Sequence, residues 1–268
     1  MSARWSFDAI GVGWRLDSPE PLPAETRAAV AARIDAYDRT WSRFREDSLV
    51  ARIGREPGVW ELPPEAEPLL GLYRVLYAAT GGRLSPLAGR GARAPAWDDA
   101  IAFDRSILAA PRPVVLDVAA AGKGQLADLV SDVLVAEGVP EHTVDASGDI
   151  RRRGRATRVA LEHPLDPSLA VGVVELGDRA IAASGQNRQP GHVIDALTGV
   201  PVRTFIASWV VAPTALAADG AATALLLVDD PEAVVGALAP EHGRVEWARM
   251  DASGRLEVSA GFEGEVFA

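Results

Sequence analysis

Apolar residues recur at helical spacing early in the chain: Ala29, Val30, Ile34, Tyr37 and Trp41 fall on one stripe. The spacing predicts a helix over 25–41, and a similar pattern predicts another over 65–79. Val114-Val115-Leu116-Asp117 reads as a short buried strand that enters a Gly/Ala-rich turn and then a helix. That helix carries Leu126, Leu129, Val130, Val133 and Leu134 on its apolar face, and Gly138 suits its C-terminal stop. Alternating or continuous apolar runs predict strands at 158–161, 169–176, 180–183, 204–211 and 244–250, with a helix over 216–227 before the last of them. Helices and strands come in mixed order with antiparallel hairpins. The expected class is therefore α+β, mixed or antiparallel sheets with packed helices, in a single domain over 1–268.

Composition narrows the function. The 268 residues are 48% hydrophobic, enough for a sizeable core. The formal net charge of −10 argues against nonspecific binding to nucleic acid or to an anionic membrane, so any phosphate site must be local. Cysteine is absent, which excludes disulfides, thiolate catalysis and thiolate-bound metals. The N-terminal residues reach charged side chains at once, and no later run matches a membrane span, so a cytoplasmic location without membrane insertion is the expectation.

Five segments carry candidate chemistry. In Leu116-Asp117-Val118-Ala119-Ala120-Ala121-Gly122-Lys123-Gly124, a flexible backbone and a cation stand where a helix N-terminus favours phosphate. It is neither a Walker A loop nor GxGxxG, and a tight turn with a solvated lysine would have the same sequence. Asp219 and Thr223 stand four residues apart, hence one turn apart on one helix face, and hard oxygen donors in that relation suit Mg²⁺; helix capping and packing are the ordinary alternative. His192 and Asp195 occupy a short strand running into a turn. His192 suits a general base and Asp195 an orienting group, although residues three apart on a strand face opposite sides. Ser184-Gly185 follows an apolar strand and brings backbone donors near a ligand, or simply connects elements. Asp145-Ala146-Ser147-Gly148-Asp149 is a small acidic turn, and Arg151-Arg152-Arg153 after it reads as a solvated hairpin tip.

The order of these pieces resembles the FAD:protein FMN transferase (ApbE) family over about residues 35–228. The stretch from Asp38 to Ser48, in which a helix leads to Ser42-Arg43-Phe44-Arg45-Glu46-Asp47-Ser48, is similar to its early segment, and Asp117 to Asp128 to its Asp, small residues, Lys-Gly, Asp signature. Ser147-Gly148-Asp149 is similar to its Gly-Gly-Asp turn, Ala183-Ser184-Gly185 to its Thr-Ser-Gly loop, and the stretch from His192 to Gly199 to its His-x-x-Asp-Pro-x-x-Gly segment. The resemblance implies FAD lying across a groove, contacted by Ser42, Asp117, Lys123, Asp128, Ser147, Asp149, Ser184 and Gly185. It implies Mg²⁺ held by Asp219, Thr223 and the carbonyl of Gly122, and FMN delivered to a Ser or Thr of an acceptor flavoprotein with release of AMP. Lys123, His192 and Asp195 are the implied catalytic group.

The sequence departs from that pattern at Ala183, Ser147, Ala196, Gly54 and Ser85, the last in Gly81-Gly82-Arg83-Leu84-Ser85-Pro86. Two other activities therefore stand beside transfer. One is Mg²⁺-dependent hydrolysis of FAD to FMN and AMP, and the other is FAD binding without turnover.

Overall fold

The computed structural model describes residues 3–185 and 191–267. Its centre is an eight-stranded sheet in the order β1-β2-β6-β7-β10-β13-β14-β15, every neighbour antiparallel. These strands are β1 (Ala3–Ala9), β2 (Val12–Ser18), β6 (His142–Ala146), β7 (Asp149–Arg153), β10 (Ala180–Gly185), β13 (Phe205–Ala212), β14 (Glu246–Asp251) and β15 (Leu256–Val258). Helices α1 (Ala24–Trp41), α3 (Ala66–Ala79), α5 (Gly122–Ala136) and α6 (Ala215–Leu225) supply most of the larger core on one side, with α7 (Pro231–His242) against α3 and α6. A second sheet of β8 (Thr157–His163), β9 (Asp166–Leu176) and β16 (Gly264–Val266) builds a smaller core with the other side.

The alternation of β13 explains its near-continuous burial. Val210 and Ala212 belong to the helix-side core, while Ala207, Trp209 and Val211 pack with Leu161, Val174 and Leu176 of the second sheet. A strand covered on both faces has no polar side, which is why this run is apolar but for Ser208, whose buried hydroxyl donates to the Ala222 carbonyl at 2.6 Å.

The expected α+β class is observed, and the helices at 25–41, 65–79 and 216–227 match α1, α3 and α6 within one or two residues at each end. The expected strand at 114–117 does not form. Val114, Leu116 and Val118 are buried and Val115 is exposed, so the alternation is there. The segment joins no sheet: Val114 and Asp117 donate their amides to the lone carbonyls of Ile53 and Pro86, and Pro111 and Pro113 precede it. A hairpin, β1–β2, opens the chain ahead of the helices, and β3 (Gly58–Glu61), β5 (Ile107–Ala110) and β4 (Ala102–Asp104) pair in a separate small sheet, with α2 (Leu49–Ile53) before β3 and α4 (Trp97–Ala100) before β4. The remaining pair, β11 (Ile194–Asp195) and β12 (Val200–Pro201), is a two-residue hairpin.

Candidate active site

The head of α5 meets α6 so closely that only glycine fits. A Cβ on Gly124 would overlap the Ala215 carbonyl and press on Asp219 Cβ. That approach lets the Gly124 amide donate to Asp219 Oδ2 at 2.8 Å and places Lys123 beside the carboxylates. Lys123 Nζ lies 2.8 Å from Asp149 Oδ2 and donates to the Ala146 carbonyl at 3.1 Å. Asp149 is fully buried, and the lysine contact is an ion pair without hydrogen-bond alignment; neither Asp149 oxygen has an aligned donor.

Two buried carboxylates and one lysine leave an excess of negative charge. Burial and then the charge of Asp149 push Asp219 well above the usual carboxylate range, against Lys123 and the Gly124 amide. Burial likewise raises Asp149 despite its lysine. For Lys123, burial works to lower the pKa, but the charges of Asp149 and Asp219 outweigh it and the ammonium is stabilised. Lys123 is also the one lysine in a chain whose other 26 long cationic side chains are arginines. A compact ammonium fits between a carboxylate and a carbonyl where a planar fork would not.

Thr223, one turn after Asp219 on α6, turns its hydroxyl toward the Ala120 carbonyl at 3.4 Å and the Ser184 hydroxyl at 3.5 Å. Both distances exceed the usual 2.7–2.8 Å of a hydroxyl hydrogen bond, so these oxygens converge without satisfying one another. The carbonyl that meets Thr223 is that of Ala120, not that of Gly122. Gly122 is the first residue of α5, where its amide donates to Val118 at 2.7 Å and a Cβ would crowd Val118 and the Tyr37 hydroxyl. Tyr73 accepts the Ala120 amide at 3.1 Å and so fixes that residue from below. Among the described residues no three His, Cys, Asp or Glu side chains gather at one point. The donor set here is one carboxylate, one hydroxyl and one carbonyl.

These groups floor a groove of about 1280 Å³, which also includes Ser42, Asp117, Ser147, Ser184, Gly185 and His192. Asp117 is braced by Arg43 at 3.1 Å and itself caps the Ala119 amide at 3.0 Å. Ser147, with φ of 55°, and Gly148, with φ of 104°, make the turn from β6 to β7, closed by the Gly148 amide on Asp145 at 2.9 Å. Phe44, 83% exposed under the stacked Arg43 guanidinium, stands on the groove wall, and Trp209 also lines the groove. No role follows for either from sequence spacing alone. The continuation of the Ser184-Gly185 loop from 186 to 190 lies outside the described residues.

Three expected site residues lie elsewhere. Asp128 accepts the Ala215 and Leu216 amides at 3.0 and 2.8 Å, capping α6 from α5, with Arg151 at 3.4 Å; its oxygens are occupied and it is not a groove residue. Asp149 sits behind Lys123 rather than in the groove. Asp195 is 8% exposed, accepts the Leu197 amide at 2.9 Å and pairs with Arg83 at 3.6 Å, so it shapes the turn after His192. The Arg151–Arg153 run is not a solvated tip. It forms most of β7, with Arg151 on the Pro213 carbonyl and Arg152 on the His142 and Arg155 carbonyls. Of the departures, Ser85 and Ala183 face the groove, Ala196 is buried in the turn, and Gly54 ends α2 away from the groove.

An antiparallel sheet with helices on one face and a second, smaller sheet on the other defines an α+β protein whose groove is floored by hard oxygens and a helix-borne lysine. The family model described as ApbE family matches residues 1–246, and the chain belongs to that family. A relative from Klebsiella pneumoniae named FAD:protein FMN transferase is 26% identical over 87% of this chain and 78% of its own length. Its Salmonella typhimurium counterpart of the same name is 24% identical with the same coverage. The solved flavin transferase ApbE from Vibrio cholerae superposes with a TM-score of 0.82 at 20% identity, covering 98% of both chains. The apbe protein from Thermotoga maritima gives 0.80 at 20% identity over 98% of this chain and 99% of its own.

Proposed function

We propose that the protein is a Mg²⁺-dependent FAD:protein FMN transferase that moves FMN from FAD to a Ser or Thr hydroxyl of an acceptor flavoprotein and releases AMP. The observation that carries this reading is that Asp219, Thr223 and Ala120 line one groove with Lys123, the Thr223 hydroxyl turned toward the Ala120 carbonyl at 3.4 Å. Mg²⁺ takes few protein ligands and completes its shell with water and substrate phosphates, so this small oxygen set and its surplus negative charge fit it. When bound, the ion would neutralise charge on the pyrophosphate. In the reaction the acceptor oxygen bonds to the FMN phosphorus while the bond from that phosphorus to the AMP oxygen breaks. His192 takes the hydroxyl proton, Lys123 holds a phosphate oxygen against the head of α5, and Ser184 and Gly185 border the same space. Phe44 offers a ring face for stacking of a flavin or adenine.

Replacing Asp219 by Asn is expected to lower transfer at least about a hundredfold, on the order of 3 kcal/mol, and to weaken Mg²⁺ dependence. Transfer at the parental rate would remove the metal assignment. Ser85 in the groove wall is the observation that keeps hydrolysis in view, because a hydroxyl there gives water a second foothold. Incubation with FAD and Mg²⁺ separates the readings: AMP formed without an acceptor marks hydrolysis, flavin found on the acceptor marks transfer, and bound FAD without AMP marks a binding protein.

A further inference from the structure

One edge of the large sheet is β1, and among the described residues no strand lies beyond it. Edge strands are ordinarily kept from pairing with other chains by shortness, bulges, proline or lysine. β1 has none of these: its seven residues run in unbroken register with β2, from Ala3 opposite Ser18 to Ala9 opposite Val12. The two-residue turn Ile10-Gly11, both at positive φ, closes on the Ala9–Val12 pair and so fixes which residues exchange hydrogen bonds across the hairpin. Those are Ala3, Trp5, Phe7 and Ala9. The amides and carbonyls of Arg4, Ser6 and Asp8 point away from β2, and no described backbone group beyond it bonds to them. The side chains alternate as well. Trp5 and Phe7, with ring centroids 4.3 Å apart, pack against the helix-side core, while Arg4, Ser6 and Asp8 are exposed on the other face. Arg4 is held by Asp17 at 2.8 Å. Opposite Asp8 stands Gly13, so Asp8 has no side chain across the hairpin to pair with.

We propose that β1 pairs with β1 of a second copy of this chain, antiparallel about a two-fold axis at Ser6, joining the two large sheets into one. In that register Ser6 faces Ser6 of the second copy, Arg4 faces Asp8, and Trp5 faces Phe7. All the outward-pointing residues then fall in pairs that exchange two hydrogen bonds each, opposite charges meet at both ends, and the aromatic row continues across the axis. Registers shifted by two residues leave an outward-pointing residue unmatched and lose both charge pairs. A two-fold contact of this kind closes at two copies and hides both edges. The inference does not depend on the transferase reading. The test is sedimentation equilibrium over a range of concentrations, with hydrogen exchange of residues 3–9 read alongside. The wild type is expected to reach twice its 28.2 kDa mass reversibly, the segment's amides gaining protection as the dimer forms. Asp8→Arg and Arg4→Asp each set like charges against each other at both ends and are expected to weaken association at least about tenfold. Mixed in equal amounts, the two variants restore both opposite-charge pairs in the heterodimer, and association is expected to return to near the wild-type level. Ser6→Pro removes the central outward amide without touching the β2 ladder, and is expected to abolish the dimer while far-UV circular dichroism stays that of the folded chain. Should this variant unfold, the mixed charge variants decide alone. A chain that is monomeric throughout, a dimer indifferent to all these substitutions, a dimer without protection of residues 3–9, or a mixture that does not recover overturns the proposal. Masses beyond two copies mark head-to-tail stacking of β1 on the other sheet edge, β15, and overturn it likewise.

Discussion

Asp219 Oδ2 accepts the Gly124 amide at 2.8 Å, a bond that joins the middle of α6 to the first turn of α5. It exists because residue 124 has no side chain. Gly124→Ala would gain up to about 1 kcal/mol of helix propensity. It would also drive a methyl into the Ala215 carbonyl and Asp219. Overpacking of a closed interface costs about 1–3 kcal/mol and sometimes more, so a net loss of about 2 kcal/mol is expected, read as a lower urea midpoint at unchanged slope. An equal or higher midpoint would show that the two helices part readily.

Lys123 and Asp149 should behave as a unit. Lys123→Met leaves a fully buried carboxylate without its cation, for which a cost of about 3–5 kcal/mol is expected. Adding Asp149→Leu removes the stranded charge and should restore much of the loss. The double-mutant cycle measured by chemical denaturation gives the coupling directly; additive losses would mean the pair is incidental.

Tyr73 touches neither groove nor ligand but holds the Ala120 amide. Tyr73→Phe withdraws that acceptor, and partners one shell out from a metal ligand typically alter affinity 10–100-fold. The Mg²⁺ concentration for half-maximal AMP release is expected to rise about tenfold with FAD saturating. No change would show that Ala120 is not a ligand or that Tyr73 does not aim it.

Asp128 links stability to pH. Burial pushes its carboxyl up to about 6, against the two α6 amides and Arg151 that favour the charged form. The folded protein thus keeps a proton that the unfolded chain, titrating near 3.8, has already released. Stability from this group is greatest below the unfolded value and falls as pH rises toward 6, by roughly 3 kcal/mol in all. Asp128→Asn should flatten part of that slope between pH 4 and 6.5 in urea titrations. An unaltered slope would place the titration elsewhere.

The sequence by itself determined the helices whose apolar stripes face the core and the strands of the second half, and it singled out Lys123, Asp219, Thr223 and His192 as candidates through helical spacing and through the order of their segments along the chain. Local geometry is also where that reading ended. Whether Val114 to Asp117 finds a sheet partner depends on what lies beside it, and nothing there offers a ladder. Asp128 and Asp149 look like site carboxylates in sequence, yet packing turns one onto the amides of α6 and the other behind Lys123. Ala120, not Gly122, faces Thr223 because the chain enters α5 through a turn held by Tyr73, 47 residues away in sequence. The two loops that border His192 are joined only where Gly91 meets Gly199 and Ala94 meets Ala196, a pairing between segments about 100 residues apart. Period and residue type are properties of neighbours along the chain; which oxygen, amide or guanidinium completes a site is decided by contacts between segments far apart, and those only the tertiary structure supplies.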